Sequence, residues 1–463
     1  MIEGPPRFTW ARECRNDSTC SLGEVRLLWE LATELQSFEQ FPDHVVAHII
    51  KTNSNAENAE TVCCRWLIGA DGAKGVVRKQ LGLAFQGETR DTEHLLVGDI
   101  HVKGLKGNYL HMWGDFATKA VSLRPTESGD DNFMLVAGGR DQGDVQKLIN
   151  DREAFLKFIH DVTNRTDIEF GEFSWVSDYR ANIRMVDKFG VGRVFLAGDA
   201  AHVHSPSGGQ GMNSSVQDAA QSLLDTYSEE RVPVIAEMLE QTTKLLNKTM
   251  SVKRDADDTS AWDRRGALLQ LGVNYRWSSI VVDERISPTG GGRTNPSDAY
   301  GEVGGEIRAG DRAPDAPALV HANDVDKSTS LFQIYGASYH TVLLFTADID
   351  VITPALDTLT RYPAGTTRCV VILPAGTCPI PAVSGVEYVL LDKEGHAYMG
   401  YAVPAGTSTV VIVRPDGVIG GIVLGVEGLR RTSQIDGKSR SNTRGEKRAQ
   451  MVTERPVERK TPE

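Results

Sequence analysis

The chain has 463 residues, 40% of them hydrophobic, which is more than one ordinary domain uses and enough to bury two or three cores. Fifty Lys and Arg against 62 Asp and Glu leave a formal charge of −12, which argues against a general polyanion-binding surface and so against nucleic acid as a partner. No uncharged apolar run reaches membrane-spanning length, and Met1-Ile-Glu-Gly-Pro-Pro6 has neither the basic nor the apolar region of a leader, so the sequence reads as a soluble cytoplasmic protein without a membrane partner.

In chain order, Ala32 to Ile50 and Thr61 to Ile68 read as strands joined by a polar turn at Asn53-Ser-Asn-Ala-Glu-Asn58, and Val76 to Leu81 as a short helix. Residues 94–138 alternate apolar and polar, as in His94-Leu-Leu-Val-Gly-Asp-Ile-His-Val102 and Phe133-Met-Leu-Val136, which predicts an antiparallel sheet with one wet face. Trp113 and Phe116 read as core rather than as the wall of an aromatic pocket. Glu153 to Val162 has helical spacing and belongs on that sheet. Tyr179, Arg180 and Arg184 read first as an exposed strand and second as groups facing a ligand.

Turn formers fill Ile286 to Tyr300, which reads as a linker or long loop. Beyond it, Thr341–Phe345, Cys369–Leu373, Tyr388–Leu391 and Thr409–Val413 are β-branched runs suited to buried strands, with a helix expected over Pro354–Thr360. Residues 305–429 therefore read as a small α/β sandwich. From Arg430 to Glu463 ten Lys or Arg stand against five Asp or Glu with few apolar residues, which reads as a disordered basic tail. The six cysteines, Cys14, Cys20, Cys63, Cys64, Cys369 and Cys378, have no C-x-x-C and no zinc-finger spacing, so they read as reduced thiols and no metal site is expected.

Glycine numbers 45, above the usual share of about 7%, so its clusters need explanations of their own. The densest runs from Gly192 to Asp218. Val194–Ala197 reads as a buried strand, and Gly198-Asp199 puts a carboxylate at its C-terminal edge, where α/β folds place ligands. After Pro206, a turn with Gly208, Gly209 and Gly211 enters a helix near Met212 and Asn213, whose free N–H groups favour negative charge. A carboxylate without an acidic neighbour is suited to accept hydrogen bonds from sugar hydroxyls. A second strand, Trp66-Leu-Ile-Gly-Ala70, ends in Asp71-Gly72 and opens a helix through Gly75 and Arg78; alone it is only a turn signal.

Gly198-Asp-Ala-Ala-His202, Pro206 and Gly208-Gly-Gln-Gly-Met-Asn213 together resemble the flavin motif of the aromatic-ring monooxygenases of the para-hydroxybenzoate hydroxylase class. The resemblance implies that Asp199 holds the ribityl chain of FAD and that the Gly211-Met212-Asn213 backbone faces the pyrimidine end of the ring. Gly198, Pro206 and Gly209 belong to the same cofactor site, and Asp71 and Gly72 match a second fingerprint linked with FAD and the nicotinamide cofactor. Gly75 stands where the family usually has a capping Ser. Ala309-Gly-Asp-Arg-Ala-Pro-Asp315, His396, Tyr401 and Val413-Arg-Pro-Asp-Gly417 are similar to the thioredoxin-like domain of the phenol 2-monooxygenase branch. Without C-x-x-C its implied role is packing or homodimer formation.

The fold class implied is α/β (α+β): an incomplete FAD-binding Rossmann-like domain over 1–285 with an antiparallel substrate sheet inserted at 90–185, a linker at 286–304, a thioredoxin-like domain at 305–429 and a basic tail at 430–463. The activity implied is FAD-dependent monooxygenation, with NAD(P)H and O2 consumed through a flavin hydroperoxide to hydroxylate or epoxidise an aromatic or polyketide-like small molecule, as in secondary metabolism. No catalytic residue stands out. Two departures support a second reading, a catalytically inactive, truncated relative acting as a binding module. No G-x-G-x-x-G occurs, so the chain reads as starting downstream of the unit that grips the ADP half of FAD. The apolar helical segment expected after Ala219 is shortened to Ala220 and Gln221 before Ser222, so that helix must be rebuilt or the core suffers. Glu230-Arg231 reads as a solvated pair, and His202 and His204 as turn-stabilising or flavin-near residues.

Overall fold

The computed structural model describes residues 19–431, apart from 23–24, 29, 54–55, 128, 130, 222–225, 252–268, 287–298, 302–304, 379–382, 384–385 and 405. Most of the expected linker, the tail beyond Arg431, Cys14 and the side chain of Cys20 lie outside the described residues. Two compact units divide at Leu268/Leu269.

The first unit opens with an antiparallel pair, β1 (Thr19–Leu22) and β2 (Val25–Leu28). A meander of β3 (Thr33–Gln40), β4 (Val45–Asn53) and β5 (Ala56–Cys64) follows. The single strand expected over Ala32–Ile50 is thus two strands. Pro42 and Asp43 reverse the chain between Phe41 and His44, whose backbones bond at 2.9 Å. The strand expected to run to Ile68 stops at Cys64, and β6 (Leu67–Gly69) joins a different sheet. Next comes the short helix α1 (Val76–Gln80), where Gln80 bonds both backbone groups of Phe38 and holds the helix against β3.

A six-stranded antiparallel sheet dominates the unit: β7 (Gln86–Lys103), β8 (His111–Gly114), β9 (Ala120–Pro125), β10 (Asn132–Gly138) and β11 (Glu169–Met185), completed at one edge by a short strand described below. Between β10 and β11 stand α2 (Val145–Asn150) and α3 (Arg152–Thr163), capped by Asp144 and Asp151. Alternation on β7, β9 and β10 turns Leu96, Ile100, Val121, Leu123, Phe133 and Leu135 onto Phe155, Phe158 and Ile159 of α3. Each such aromatic or aliphatic burial contributes roughly 1.5–3 kcal/mol. Phe116 lies in the core, as expected. The other face is drier than expected, because Leu95, Val136, Tyr179 and Ile183 pack with Phe116, Leu246 and Met250.

The remaining strands of the unit are β12 (Gly190–Val191), β13 (Val194–Leu196) and β14 (His202–Val203). β13 pairs parallel with β6 and antiparallel with β12, while β14 pairs with the end of β11. Two helices close the unit, α4 (Gly211–Gln221) and α5 (Tyr227–Ser251). The inward face expected to be lost after Ala219 is supplied by α5, where Tyr227, Val234, Ile235, Met238, Leu245 and Leu246 are buried at helical spacing.

The second unit takes in residues from 269 onward, earlier than the 286–304 boundary expected from composition. The reason is pairing: Val273 bridges Tyr300, and Tyr275 N–H donates to Gly310 at 2.8 Å. Its eight-stranded sheet comprises β15 (Val282–Asp283), β16 (Leu319–His321), β17 (Asp324–Thr329), β18 (His340–Phe345), β19 (Thr367–Pro374), β20 (Tyr388–Asp392), β21 (Thr409–Val413) and β22 (Ile419–Leu424), in the order β15-β22-β21-β18-β19-β20-β16-β17. Leu343 and Phe345 enter one core with Tyr401, while Val342 and Leu344 enter another with Ile352 and Leu359, which is why that run is apolar without alternation. Two of its helices are α6 (Ile349–Leu359) and α7 (His396–Gly400), and a further helix covers 425–431. α6 starts five residues before Pro354, because Asp348 caps it by accepting from Asp350 N–H at 2.9 Å.

Candidate functional site

The two Asp-Gly and Gly-Asp motifs, more than a hundred residues apart in sequence, meet at one sheet edge. Leu196 of β13 lies in register with Gly69 of β6, and Ala197 N–H donates to Gly69 C=O at 3.0 Å. Each strand then turns out through its aspartate at the C-terminal end, the ligand-binding edge of a parallel sheet.

Asp71 acts locally. Its Oδ2 accepts from Val77 N–H at 2.9 Å and so caps α1 from six residues upstream. A Cβ on Gly75 would fall 2.1 Å from the Asp71 carboxyl carbon, so the place where the family's serine is expected is filled by Asp71 itself. The capping group is relocated, not missing. Arg78 on α1 is buried, sits 4.1 Å over the Phe85 ring and donates to Ala200 C=O at 3.4 Å, linking this corner to the Asp199 turn.

Asp199 lies in a 3-10 turn, Gly198–Ala200, and its exposed side chain has no hydrogen-bond or ion-pair partner among the described residues. The turn behind it is tied down at several points. Tyr227 Oη donates to Leu196 C=O at 2.7 Å, and Ser205 Oγ donates to Thr242 C=O at 3.3 Å. Asp218 Oδ2 accepts from Gly198 N–H at 3.0 Å and pairs with His202 Nε2 at 2.7 Å, while Oδ1 accepts from Arg231 Nε at 2.8 Å. Arg231 also donates to Gln217 Oε1 and Ser214 C=O. Asp218 and Arg231 are 0% exposed. The expected solvated pair Glu230-Arg231 is therefore corrected: both side chains are buried, and Arg231 pairs with Asp218. Burial opposes charge on Asp218, but His202 and Arg231 outweigh it and hold the carboxyl below its ordinary range.

From His202 the chain passes through β14 and the turn Pro206–Gly208 into α4. Gly209 is left-handed at φ 65°, and open space lies where its Cβ would be; the same holds at Gly72, φ 78°. Met212 is 62% exposed at the start of α4, and Asn213 donates to Gln210 Oε1 at 3.1 Å. First-turn N–H groups of an α-helix have no intrahelical acceptor. An unpartnered carboxylate, two open glycines and an exposed helix start fit a ligand with a polyhydroxyl chain and a group that takes negative charge. The ribityl-and-ring half of FAD has both features.

Two further groups sit beside this surface. His204 Nδ1 bonds Ser205 C=O at 2.6 Å, leaving a buried Nε2 without a partner among the described residues; burial pushes its pKa down. Tyr179, on β11, bonds His204 C=O at 3.5 Å, and burial with the nearby Asp199 charge pushes its hydroxyl up to about 12. Of the other strand residues, Arg184 is tied to Phe85, Thr89 and Asn182, and Arg180 pairs with Asp91 and Asp178. Asp218 and Arg231 escaped sequence reasoning. Their signal is periodic: Tyr227, Arg231, Val234, Ile235 and Met238 share one helical face, which places the arginine inward.

The FAD binding domain family matches residues 24–242. A flavin-dependent monooxygenase of Mycobacteroides abscessus is 34% identical over 387 residues, 78% of this chain and 72% of that protein. Pentachlorophenol 4-monooxygenase of Sphingobium chlorophenolicum is 29% identical over 56% of this chain and 48% of its own length. 6-Methylpretetramide 4-monooxygenase of Streptomyces rimosus is 34% identical over 40% of this chain and 35% of its own length. The chain thus spans about half, or less, of the latter two relatives. Among solved structures, the flavin-dependent monooxygenase PieE in complex with FAD and substrate has the same fold, with TM-score 0.64 at 21% identity over 85% of this chain and 72% of that one. Among the described residues no helix is long and apolar enough to cross a membrane.

Proposed function

We infer that this chain, which belongs to the FAD-dependent aromatic-ring monooxygenases, binds the ribityl chain of FAD at Asp199 and inserts one oxygen atom of O2 into a phenolic or polyketide-like aromatic, at the expense of NAD(P)H. The observation that carries this reading is the exposed Asp199 carboxylate, without a hydrogen-bond partner among the described residues, at the end of β13 beside the open start of α4. FAD, when bound, supplies the redox chemistry and the activation of O2. The chain's own residues bind, orient and exclude water. Gly198, Pro206 and Gly209 shape the turn, and Gly211, Met212 and Asn213 offer N–H groups to the ring. Asp71 and Gly72 act through α1, which Asp71 caps. Tyr179 packs with the buried cluster of Phe116, Leu246 and Met250, and its hydroxyl bonds His204 C=O. Burial keeps Tyr179 protonated and disfavours charge on His204, so both offer neutral polar groups to an aromatic substrate at neutral pH.

The substrate class follows the relatives, whose names specify pentachlorophenol and 6-methylpretetramide. The second unit reads as the thioredoxin-like domain, a reading supported by the parallel run of β18, β19 and β20 beside antiparallel β21 and β22, and its proposed role is packing or a homodimer. The test is turnover. Purified chain given FAD, NAD(P)H and a panel of phenols and polycyclic aromatics should oxidise the nicotinamide and yield a product carrying one isotopically labelled oxygen atom. A chain that holds no FAD and oxidises no NAD(P)H is instead the inactive binding relative.

A further inference from the structure

We propose that Asp218 is the positioning residue of the cofactor carboxylate: a buried clamp that fixes the Gly198 amide and, through it, the direction in which Asp199 faces its ligand. The proposal rests on the assignment of Asp199 to FAD made above.

Three donors converge on this one carboxylate. Gly198 N–H and His202 Nε2 share Oδ2, and Arg231 Nε takes Oδ1. The first two come from the turn on either side of Asp199, so a single carboxylate brackets the residue that binds. Gly198 is left-handed at φ 60°, and a Cβ there would lie 2.8 Å from Ser215 Oγ. The turn is therefore seated directly on α4, without room to slide. Arg231 is itself held by Gln217 and Ser214, one turn or less from Asp218 on α4. Phe189 stacks on the His202 ring at 5.9 Å and fixes its plane. By contrast, Asp199 has no hydrogen-bond partner of its own among the described residues. A carboxylate that must meet hydroxyls at hydrogen-bond distance gains affinity when its backbone is fixed beforehand. Asp218 supplies that fixation from behind and touches no ligand.

The experiment has two arms. In Asp218→Asn, the amide NH2 must face at least one of the three donors, so one of those hydrogen bonds is lost at constant size. On the ligand-free chain, amide hydrogen exchange over residues 197–203 should speed up by about tenfold or more, while peptides of the β7–β10 sheet stay protected. Unchanged exchange at 197–203, or a rise spread evenly over the first unit, overturns the clamp. In the second arm, FAD affinity is measured by flavin fluorescence for wild type, Asp218→Asn, Asp199→Ala and the double variant. Asp218→Asn should weaken binding by about tenfold, the scale at which groups behind a first ligand act in metal sites. In the Asp199→Ala background that effect should vanish, because a positioning residue has nothing left to position. An equal loss in both backgrounds means a structural role only and overturns the proposal. Should Asp199→Ala leave FAD binding unchanged, or the wild-type chain bind none, the ribityl assignment has failed, and the exchange arm still tests the clamp. If Asp218→Asn does not fold, His202→Phe takes its place in the same cycle: it keeps the stacking on Phe189 but removes one donor, so a loss confined to the Asp199 background supports the clamp and an equal loss in both overturns it.

Discussion

Arg231→Met is the sharpest structural perturbation of the site. The methionine matches the apolar bulk of the arginine but removes its hydrogen bonds to Gln217, Ser214 and Asp218, the last a 2.8 Å contact. Asp218 then keeps its charge at 0% exposure with Gly198 and His202 left to meet it. Breaking a buried pair by removing one partner costs about 3–5 kcal/mol. In a unit of this size each kcal/mol moves the midpoint about 2–4 °C, so the first unit should melt roughly 6–20 °C lower. The assay is a thermal melt followed by tryptophan fluorescence, with Arg180→Met as the control: its pairs with Asp91, at 3.6 Å, and Asp178, at 3.7 Å, are long and its own side chain is 49% exposed, so their loss should cost about 1 kcal/mol or less. Adding Asp218→Leu to Arg231→Met should recover part of the loss, because no buried charge is left uncompensated. A midpoint within about 2 °C of wild type for Arg231→Met would refute the view that this pair holds the corner together.

The folded-state pKa of His204 lies below its ordinary 6.5, chiefly through burial, so the unfolded chain binds a proton there that the folded chain refuses. Stability should therefore be fully present above pH 6.5 and fall as pH drops below it, and His204→Gln should flatten that slope in urea titrations; an unchanged slope counts against a buried neutral imidazole. Asp71→Ala should destabilise α1 by about 1 kcal/mol, and adding Gly75→Ser should restore most of it, since the serine then has both the space and the cap. Gly75→Ser alone should destabilise, because its Cβ would fall 2.1 Å from the Asp71 carboxyl carbon; a stabilised single variant in denaturant titrations would refute the relocated cap. In the second unit, Gly310→Ala should cost about 1–3 kcal/mol in the same titrations, since φ is 96° and the new Cβ would sit 2.6 Å from Arg276 N; no loss would exclude the strain.

Local chemistry was legible in the sequence where one segment carries its own signal. The strand Val194–Leu196, the turn with Gly208 and Gly209, and a helix opening at Gly211 follow from apolar run, glycine and helix start in immediate succession. Pairings across distance were not legible. Nothing in Leu67–Gly69 says that it will lie beside β13, because register between distant strands is set by packing on both faces. Composition misled at Arg231, where charge suggested solvent, while the spacing of its apolar neighbours on α5 turned it inward to meet Asp218. At α6, the rule that proline opens helices pointed to Pro354, but a side-chain cap at Asp348 set the start instead. The capping role of Asp71 was hidden for a similar reason: the serine position held a glycine, and the acceptor came from six residues upstream.

The proposed cofactor contact at Asp199 is open to one simple measurement. Equilibrium titration of the full chain with FAD, wild type against Asp199→Ala, tests it most directly. Hydrogen bonds to a charged group contribute about 1.5–3 kcal/mol, so the substitution should weaken FAD binding by roughly ten- to a hundredfold while leaving the melting midpoint of this exposed position unchanged. Equal FAD affinity in the two proteins, or a wild-type chain that takes up none, would contradict the account.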